Sequence, residues 1–362
     1  MSEILVIGGG VIGLLTAREL ARAGVDTTLV EMGKTGQQSS WAGGGILSPL
    51  YPWRYPDAVG RLVAWSQTVY PTLTTELLDE TGIDPELTVN GMLVLDTEER
   101  QRALDWAARH DTAIEVLDAR QLHASEPELG PRPEQALRLP GVGQVRNPRL
   151  TRALRRTIER KVRLREQEEV LELLIEGGRA VGVRTPKGEI RAERVIICAG
   201  AWTAKLLEQL GNSPEIQPVR GQMILFYAQP GQVHHITLHR ERYIIPRRDG
   251  RILFGSTLEQ AGFVKRTTAE AKEELYRAAV ELYPLLKRTP IEDHWSGLRP
   301  GSPSGIPYIG AYPGIDGLYF NAGHYRNGLV TGPASARLLT DLVLERDPIL
   351  DAAPYALDAA RD

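Results

Sequence analysis

Gly8, Gly10, Gly13 and Glu31 have the residue types and the spacing to hold a dinucleotide. The glycines stand in Gly8-Gly-Gly10-Val-Ile-Gly13. Gly8 permits a tight turn, Gly10 lets the main chain approach a pyrophosphate, and Gly13 lets a helix pack close to a sheet. The free N–H groups at the start of that helix, Val11 and Ile12 among them, present partial positive charge to phosphate. The Glu31 carboxylate, with Met32 beside it, suits ribose hydroxyls and would repel a 2′-phosphate, which disfavours NADP.

The flanking residues supply the elements that such a site needs. Glu3-Ile-Leu-Val-Ile7 is a short apolar run and reads as a buried parallel strand. A helical pattern follows to Ala23, with Gly24 as its C′ glycine, and Val25–Val30 reads as a second strand. A glycine-rich turn alone is weak evidence. Strand, turn, helix, strand and acidic end in order within about thirty residues is specific.

Further along, Ser39-Ser40-Trp-Ala-Gly43-Gly44-Gly45 combines hydroxyls with three glycines and suits a main chain packed against a ligand. Val59–Thr81 reads as a helix ended by Gly82, Met92–Leu95 as a strand, and Glu98–His110 and Asp118–Glu126 as helices. Glu126–Pro133 reads as turn. Asn147 is a candidate N-cap, with Pro148 at N1, for a helix running to about Arg160. Glu169–Ile175, Gly178–Val183 and Glu189–Ala192 read as a small antiparallel set. Arg194–Ala199 is a buried apolar strand, and Ala204–Leu210 a helix. Val219–Tyr227, Tyr243–Ile245 and Arg251–Ser256 are antiparallel candidates because their links are short. Thr268–Leu286 reads as a helix, Trp295–Gly310 as irregular, Gly317–Asn321 as a strand, and Leu329–Leu344 as a helix.

At 362 residues the chain suits two joined domains rather than one core. Its net charge of −3 predicts no general affinity for nucleic acid or an anionic membrane. No apolar run approaches the length that crosses a bilayer, and the N-terminus enters a strand directly, so a cytoplasmic location is expected. The single cysteine, Cys198, leaves no internal disulfide. His234, His235 and His239 lack the accompanying acidic or cysteine pattern of a metal site, so no metal is expected.

The dinucleotide is NAD or FAD, and three features favour FAD. The nucleotide unit lies at the N-terminus. Val195-Ile-Ile-Cys-Ala199-Gly200-Ala-Trp202 runs from an apolar strand into small residues that allow close approach. Gly323-His324-Tyr325-Arg326-Asn327-Gly328-Leu329 leads into a helix whose N-terminus, through Val330, could stabilise negative charge at N1–C2=O of a flavin.

With these stretches, Pro218-Val-Arg-Gly-Gln222, Gly297-Leu-Arg-Pro300 and Pro307-Tyr-Ile-Gly310, the chain resembles the D-amino acid oxidase family of flavoproteins, and closely its glycine oxidase branch. The resemblance spans essentially the whole chain. It implies an α/β fold with a doubly wound, Rossmann-type FAD-binding domain and an α+β substrate domain whose antiparallel sheet covers the flavin. The implied division is 1–85, 146–217 and 305–362 for FAD, and 86–145 and 218–304 for substrate. It also implies that Arg299 grips the substrate carboxylate, that Tyr243 hydrogen-bonds to it, and that Arg326 lies near substrate and flavin. Val170 would meet the adenosine side of FAD through its main chain. Leu258 and the loop Tyr51-Pro-Trp53 are expected to influence pocket shape.

The implied reaction is oxidative deamination of glycine, sarcosine and small or cyclic D-amino acids. A guanidinium suits an amino acid carboxylate, and the amine must be neutral before hydride leaves Cα for flavin N5. No side chain is required as acid or base, so positioning is the protein's main contribution. O2 would take the electrons as hydrogen peroxide, and water would hydrolyse the imine. The resemblance also implies a supply of the glyoxylate imine to thiamine thiazole synthesis, with a catabolic role left open, and a homo-oligomer. FAD is expected to be non-covalent, because Cys198 sits inside an apolar strand. Two other readings remain: a D-amino acid dehydrogenase with a non-oxygen acceptor, and a non-catalytic flavin-binding subunit. Gly10→Val is expected to weaken FAD binding, because a side chain would fill the space a pyrophosphate needs, and Glu31→Ala to do so more mildly; equal FAD retention by parent and Gly10→Val after dialysis would count against the site.

Overall fold

The computed structural model describes residues 2–361. Its first sheet is built on the strand Ser2–Ile7, which pairs in parallel with Thr27–Val30 on one side and Gly188–Ile197 on the other. Leu318–Ala322 and Val162–Arg165 extend it in parallel, and Tyr308–Ala311 closes one edge antiparallel. Ile4 and Val6 pack into a helical layer, while Leu5 and Ile7 pack into the opposite one. Burial on both faces explains why this strand reads as a continuous apolar run rather than an alternating one.

The helical layer comprises Val11–Arg22, Asp57–Thr81, Asn147–Ile158 and Gly328–Val343. Gly24 and Gly82 take positive φ, at 80° and 71°, and end their helices as expected. Buried Arg18 ties the first two helices together through Glu76 and Glu80, at 2.8 and 2.9 Å. The opposite layer is made mainly of strands. Glu172–Glu176 and Arg179–Thr185 pair antiparallel beside Gly188–Ile197, and with the short helix Thr203–Leu207 they cover Leu5, Ile7 and Val195. The expected small antiparallel set is therefore one wall of the nucleotide-binding unit.

The second sheet has eight strands in the order Ile291–Gly301, Gln217–Tyr227, Arg251–Gly255, Arg242–Pro246, Ile236–His239, Met92–Val94, Gln135–Leu139 and Glu115–Asp118. All neighbours are antiparallel except Ile236–His239 with Met92–Val94. Strand alternation divides its residues. Ile244, Ile252 and Phe254 pack under the helix Ala269–Leu282, whereas Met223, Tyr243, Ile245 and Leu253 face the other way.

Two expectations need correction. Trp295–Gly310 is not irregular: Ile291–Gly301 is a strand paired along Gln217–Tyr227, and Tyr308–Ala311 is a second strand. Its glycines serve close approach, since a Cβ at Gly297 would lie 2.6 Å from Ala42 Cβ. Pro300 is tolerated because the strand lies at the sheet edge, where a missing N–H breaks no ladder. Asn147 is not an N-cap; its buried side chain donates to the Ser40 carbonyl at 2.8 Å. The strands Val162–Arg165, Glu115–Asp118, Gln135–Leu139 and Ile236–His239 carry weak local patterns and exist through their neighbours.

Candidate active site

Ile7, Val30, Ile197 and Ala322 end their strands at one edge of the first sheet, so the loops that follow them converge. Open α/β sheets bind ligands at this carboxyl edge. A cavity of about 410 Å³ lies there and continues to the inner face of the second sheet. Gly8, Gly10, Val11, Ile12, Glu31, Met32, Ser39, Ser40, Gly43, Gly44, Gly45, Val170, Ala199, Gly200 and Trp202 line it, as do Tyr243, Arg299 and the run from His324 to Leu329. Gly13 and Val330 do not. Gly13 is a packing glycine, whose Cβ would fall 1.8 Å from the Gly8 carbonyl oxygen, and Val330 is buried in the helical core.

At the nucleotide end, Gly8 has φ 103°, and a Cβ there would lie 2.4 Å from the Cys198 carbonyl oxygen. The turn thus lies directly on the neighbouring strand end. Glu31 is buried, and its carboxylate accepts from Gly9 N–H at 2.7 Å and Gly33 N–H at 2.9 Å. It therefore holds the glycine turn as well as facing the cavity, and each oxygen retains a further lone pair. Ser40 accepts the Val11 N–H through its hydroxyl at 2.8 Å, so it takes up one free helix donor instead of leaving it to a phosphate. The Ser39 hydroxyl donates to the Leu298 carbonyl.

Sequence patterns gave no sign of Glu168. It lies in a charged stretch that resembles a solvated surface, yet it is 3% exposed and lines the cavity. Arg165 grips it at 2.7 and 2.8 Å, and the Thr185 hydroxyl donates at 2.6 Å. Its N–H donates to the Glu31 carbonyl at 3.0 Å, which fixes the segment leading to Val170 against the ribose end.

At the other end, the glycine triplet is shaped by protein neighbours. A Cβ at Gly44 would lie 2.7 Å from Ile245 Cδ1 and 3.2 Å from Tyr243 Cε2, and one at Gly45 would lie 2.1 Å from the Val145 carbonyl oxygen. Gly221 has the same function for Arg299: its Cβ would lie 2.2 Å from both terminal guanidinium nitrogens. Arg299 donates to the Thr257 carbonyl at 3.2 Å and to the Ser256 hydroxyl at 2.6 Å. Among the described residues no carboxylate lies within ion-pair distance of it. Burial lowers its pKa, an effect that neighbouring Tyr243 partly opposes and Arg326 reinforces. Arg326 Nη1 stands 3.9 Å from Glu241, and its Nη2 is buried without a partner, as is Asn327 Nδ2.

Several other candidates carry no proton-transfer, metal or covalent chemistry. His324 is buried against the Ser335 hydroxyl at 3.0 Å, and burial pulls its pKa down to about 3, so it is neutral. The buried Cys198 thiol is pushed up to about 12 by desolvation, which leaves it unreactive. His235 pairs with Glu126 and His239 with Asp96, at 2.8 and 2.9 Å, and no metal-binding group of side chains occurs among the described residues. Leu258 is exposed and does not line the cavity. Tyr51 and Trp53 are buried behind Tyr243, hydrogen-bonded to Asp96 and Glu99, and it is Leu50 that reaches the cavity. No helix among the described residues is long and apolar enough to cross a membrane.

These features fit FAD. A glycine cradle under a helix N-terminus suits the pyrophosphate, a buried acidic residue suits the ribose, and unpartnered donors at Arg326 and Asn327 await polar atoms further along. Comparison with known proteins agrees. Residues 3–342 match the family of FAD dependent oxidoreductases designated DAO. A glycine oxidase of Pseudomonas aeruginosa is 52% identical, over 98% of this chain and 99% of that one. A bifunctional ThiO/ThiG protein of Nostoc is 32% identical over 98% of this chain and 55% of its own. The crystal structure of glycine oxidase from Geobacillus kaustophilus superposes with a TM-score of 0.94 at 30% identity, covering 99% of both chains. The chain belongs to the DAO family of FAD dependent oxidoreductases, and FAD is its cofactor.

Proposed function

We propose that the protein is an FAD-dependent oxidase that deaminates glycine, sarcosine and small or cyclic D-amino acids. The observation that carries this reading is Arg299: a recessed guanidinium beside Tyr243, given room by Gly221 and left without a carboxylate partner among the described residues. A desolvated cation without a counter-ion is costly. A substrate carboxylate supplies the missing charge, and the planar fork can hold it through two N–H donors. Tyr243 donates its hydroxyl to the same carboxylate. Arg326, with a free buried donor, faces the remaining polar atoms of substrate or flavin.

These groups orient Cα and leave the amine to lose its proton to solvent. The FAD that the glycine cradle and Glu31 would hold would supply a hydride acceptor for the Cα–H, with O2 as the terminal oxidant. The carboxylates that line the cavity, Glu31, Glu168 and Glu169, belong to the ribose end, and His324 is neutral, so no side chain is assigned as acid or base. The cofactor residues are the glycines Gly8, Gly10, Gly43, Gly44 and Gly45, with Glu31, Val170, Ala199, Trp202 and the run His324–Leu329. The thiol of Cys198 is un-ionised and buried, which supports a non-covalent flavin. The segments 1–85, 146–217 and 305–362 form the FAD-binding part, and 86–145 and 218–304 the substrate part; the distribution of strands between the two sheets supports this division.

With the carboxylate fixed and Cα facing the flavin, one enantiomer directs its Cα–H correctly while keeping its side chain in the pocket. Glycine fits because it has no side chain, and a secondary amine still presents the Cα–H. The product imine suits thiazole formation in the thiamine pathway, a role supported by the bifunctional Nostoc relative.

Arg299→Ala is expected to raise the KM for glycine about 10- to 150-fold, since a charge-assisted hydrogen bond contributes roughly 1.5–3 kcal/mol; an unchanged KM would remove Arg299 as the anchor. In air without added acceptor, peroxide should form with glycine, sarcosine, D-proline and D-alanine. Comparable turnover of L-proline or L-alanine would overturn the proposed geometry, and dye reduction without peroxide would identify a dehydrogenase. Deletion of the gene is expected to produce thiamine auxotrophy; normal growth without thiamine would leave only a catabolic role.

A further inference from the structure

Pro218-Val-Arg-Gly-Gln222 enters the reading above only through Gly221, which makes room for Arg299. The residues on either side of that glycine, Arg220 and Gln222, are both buried. Both reach one carboxylate in the segment after Arg251–Gly255. Arg220 donates to Glu259 Oε2 at 2.5 and 3.1 Å, and Gln222 Nε2 donates to Oε1 at 2.9 Å. The main chains of Arg220 and Glu259 also exchange both hydrogen bonds, each at 2.9 Å.

Glu259 then acts on Thr257. The Thr257 hydroxyl accepts the Gln222 main-chain N–H at 2.8 Å and donates to Glu259 Oε1. A hydroxyl has one proton and an ionised carboxylate only accepts, so this arrangement sets the Thr257 rotamer. Burial opposes ionisation of Glu259, but hydrogen bonds from Thr257, Arg220 and Gln222 outweigh it and hold the carboxyl below its ordinary pKa. The carbonyl of Thr257 and the hydroxyl of Ser256 are the two acceptors that hold the Arg299 guanidinium. Glu259 itself makes no ion pair with Arg299; its partner is Arg220.

The same knot fixes a piece of the cavity wall. Arg220 Nη1 donates to the Val264 and Arg266 carbonyls at 3.4 and 3.2 Å. Lys265, between these, donates to cavity-lining Gln38 at 2.7 Å, and Phe263, immediately before Val264, packs its ring against cavity-lining Trp202 with centroids 5.5 Å apart.

We propose that Glu259, clamped by Arg220 and Gln222, is a positioning residue for substrate binding: through Thr257 it aims the Arg299 guanidinium, whose charge stays free for the substrate because Arg220 neutralises Glu259. This rests on Arg299 being the carboxylate anchor. A negative charge near a substrate-binding cation would ordinarily compete with the substrate. Here the competing carboxylate has its own guanidinium and delivers only orientation.

The test uses the FAD-loaded enzyme, with acetate as a carboxylate probe read by perturbation of the flavin absorption spectrum, and glycine kinetics beside it. Glu259→Gln should raise the acetate Kd and the glycine KM by roughly 3- to 30-fold, with kcat changed far less. In an Arg299→Ala background the same substitution should have no further effect on acetate binding, because what it orients is gone. Equal effects in the two backgrounds would mean a general structural role and overturn the proposal. Thr257→Val should reproduce the loss and Thr257→Ser should restore near-parental binding, which keeps the test decisive if Glu259→Gln does not accumulate as folded protein; parental acetate binding by Thr257→Val would also overturn it. If Arg299→Ala itself leaves acetate binding unchanged, the anchor assignment has failed. If Arg299→Ala weakens binding but Glu259→Gln does not, only the positioning role has failed.

Discussion

Ser2–Ile7 has a strand on each side and an apolar layer on each face, and the molecule's chemistry is arranged around that placement. Parallel pairing puts the carboxyl ends of adjacent strands at one edge, whatever their distance along the chain. Gly8, Glu31, Cys198 and Gly323 directly follow four such strands. The pairing turns four distant loops into one wall, and each loop needs small or buried groups because main chain meets main chain there. Gly8 against the Cys198 carbonyl and Gly13 against the Gly8 carbonyl are the tightest of these approaches.

The second sheet answers a different problem, that of keeping a guanidinium charged in a recessed place without giving it a carboxylate. Neutral acceptors, the Thr257 carbonyl and the Ser256 hydroxyl, hold Arg299, and Tyr243 lies beside it. Such acceptors orient a cation without cancelling its charge, which a protein carboxylate would do. Glu259, close behind, and Glu168, at the ribose end, are each matched to their own arginine. The Arg220–Glu259 ion pair thus leaves the Arg299 charge for a ligand.

Much of the nucleotide-binding unit was legible because its signals are local. Apolar runs, a glycine fingerprint, Gly24 and Gly82 at helix ends, and an acidic residue at a strand end are each decided within a turn or a strand of themselves. Cys198 as an inert core thiol follows equally from its apolar neighbours. The resemblance to a flavoprotein family carried Arg299, Tyr243 and Arg326 into one cavity, which periodicity alone could not have done.

Pairings between distant residues lie beyond such local signals. Trp295–Gly310 reads as irregular because its glycines and prolines are unfavourable for an isolated strand, yet Ile291–Gly301 pairs along Gln217–Tyr227, and the approach of Ala42 leaves no room for a Cβ at Gly297. The Gly43–Gly45 run looked like a surface for ligand, whereas Asn147, Val145 and Tyr243 also press on it. Glu168 and Glu259 carry no signal of their own in the sequence, because their arginine and threonine partners are brought near only by folding. Local preferences settle the nucleotide cradle and the types of group available for chemistry, since strand, turn and helix signals act over a few residues. Which of those groups face the cavity, and which are held in place by others, was left to contacts between residues far apart in the chain, and those exist only once the two sheets have packed.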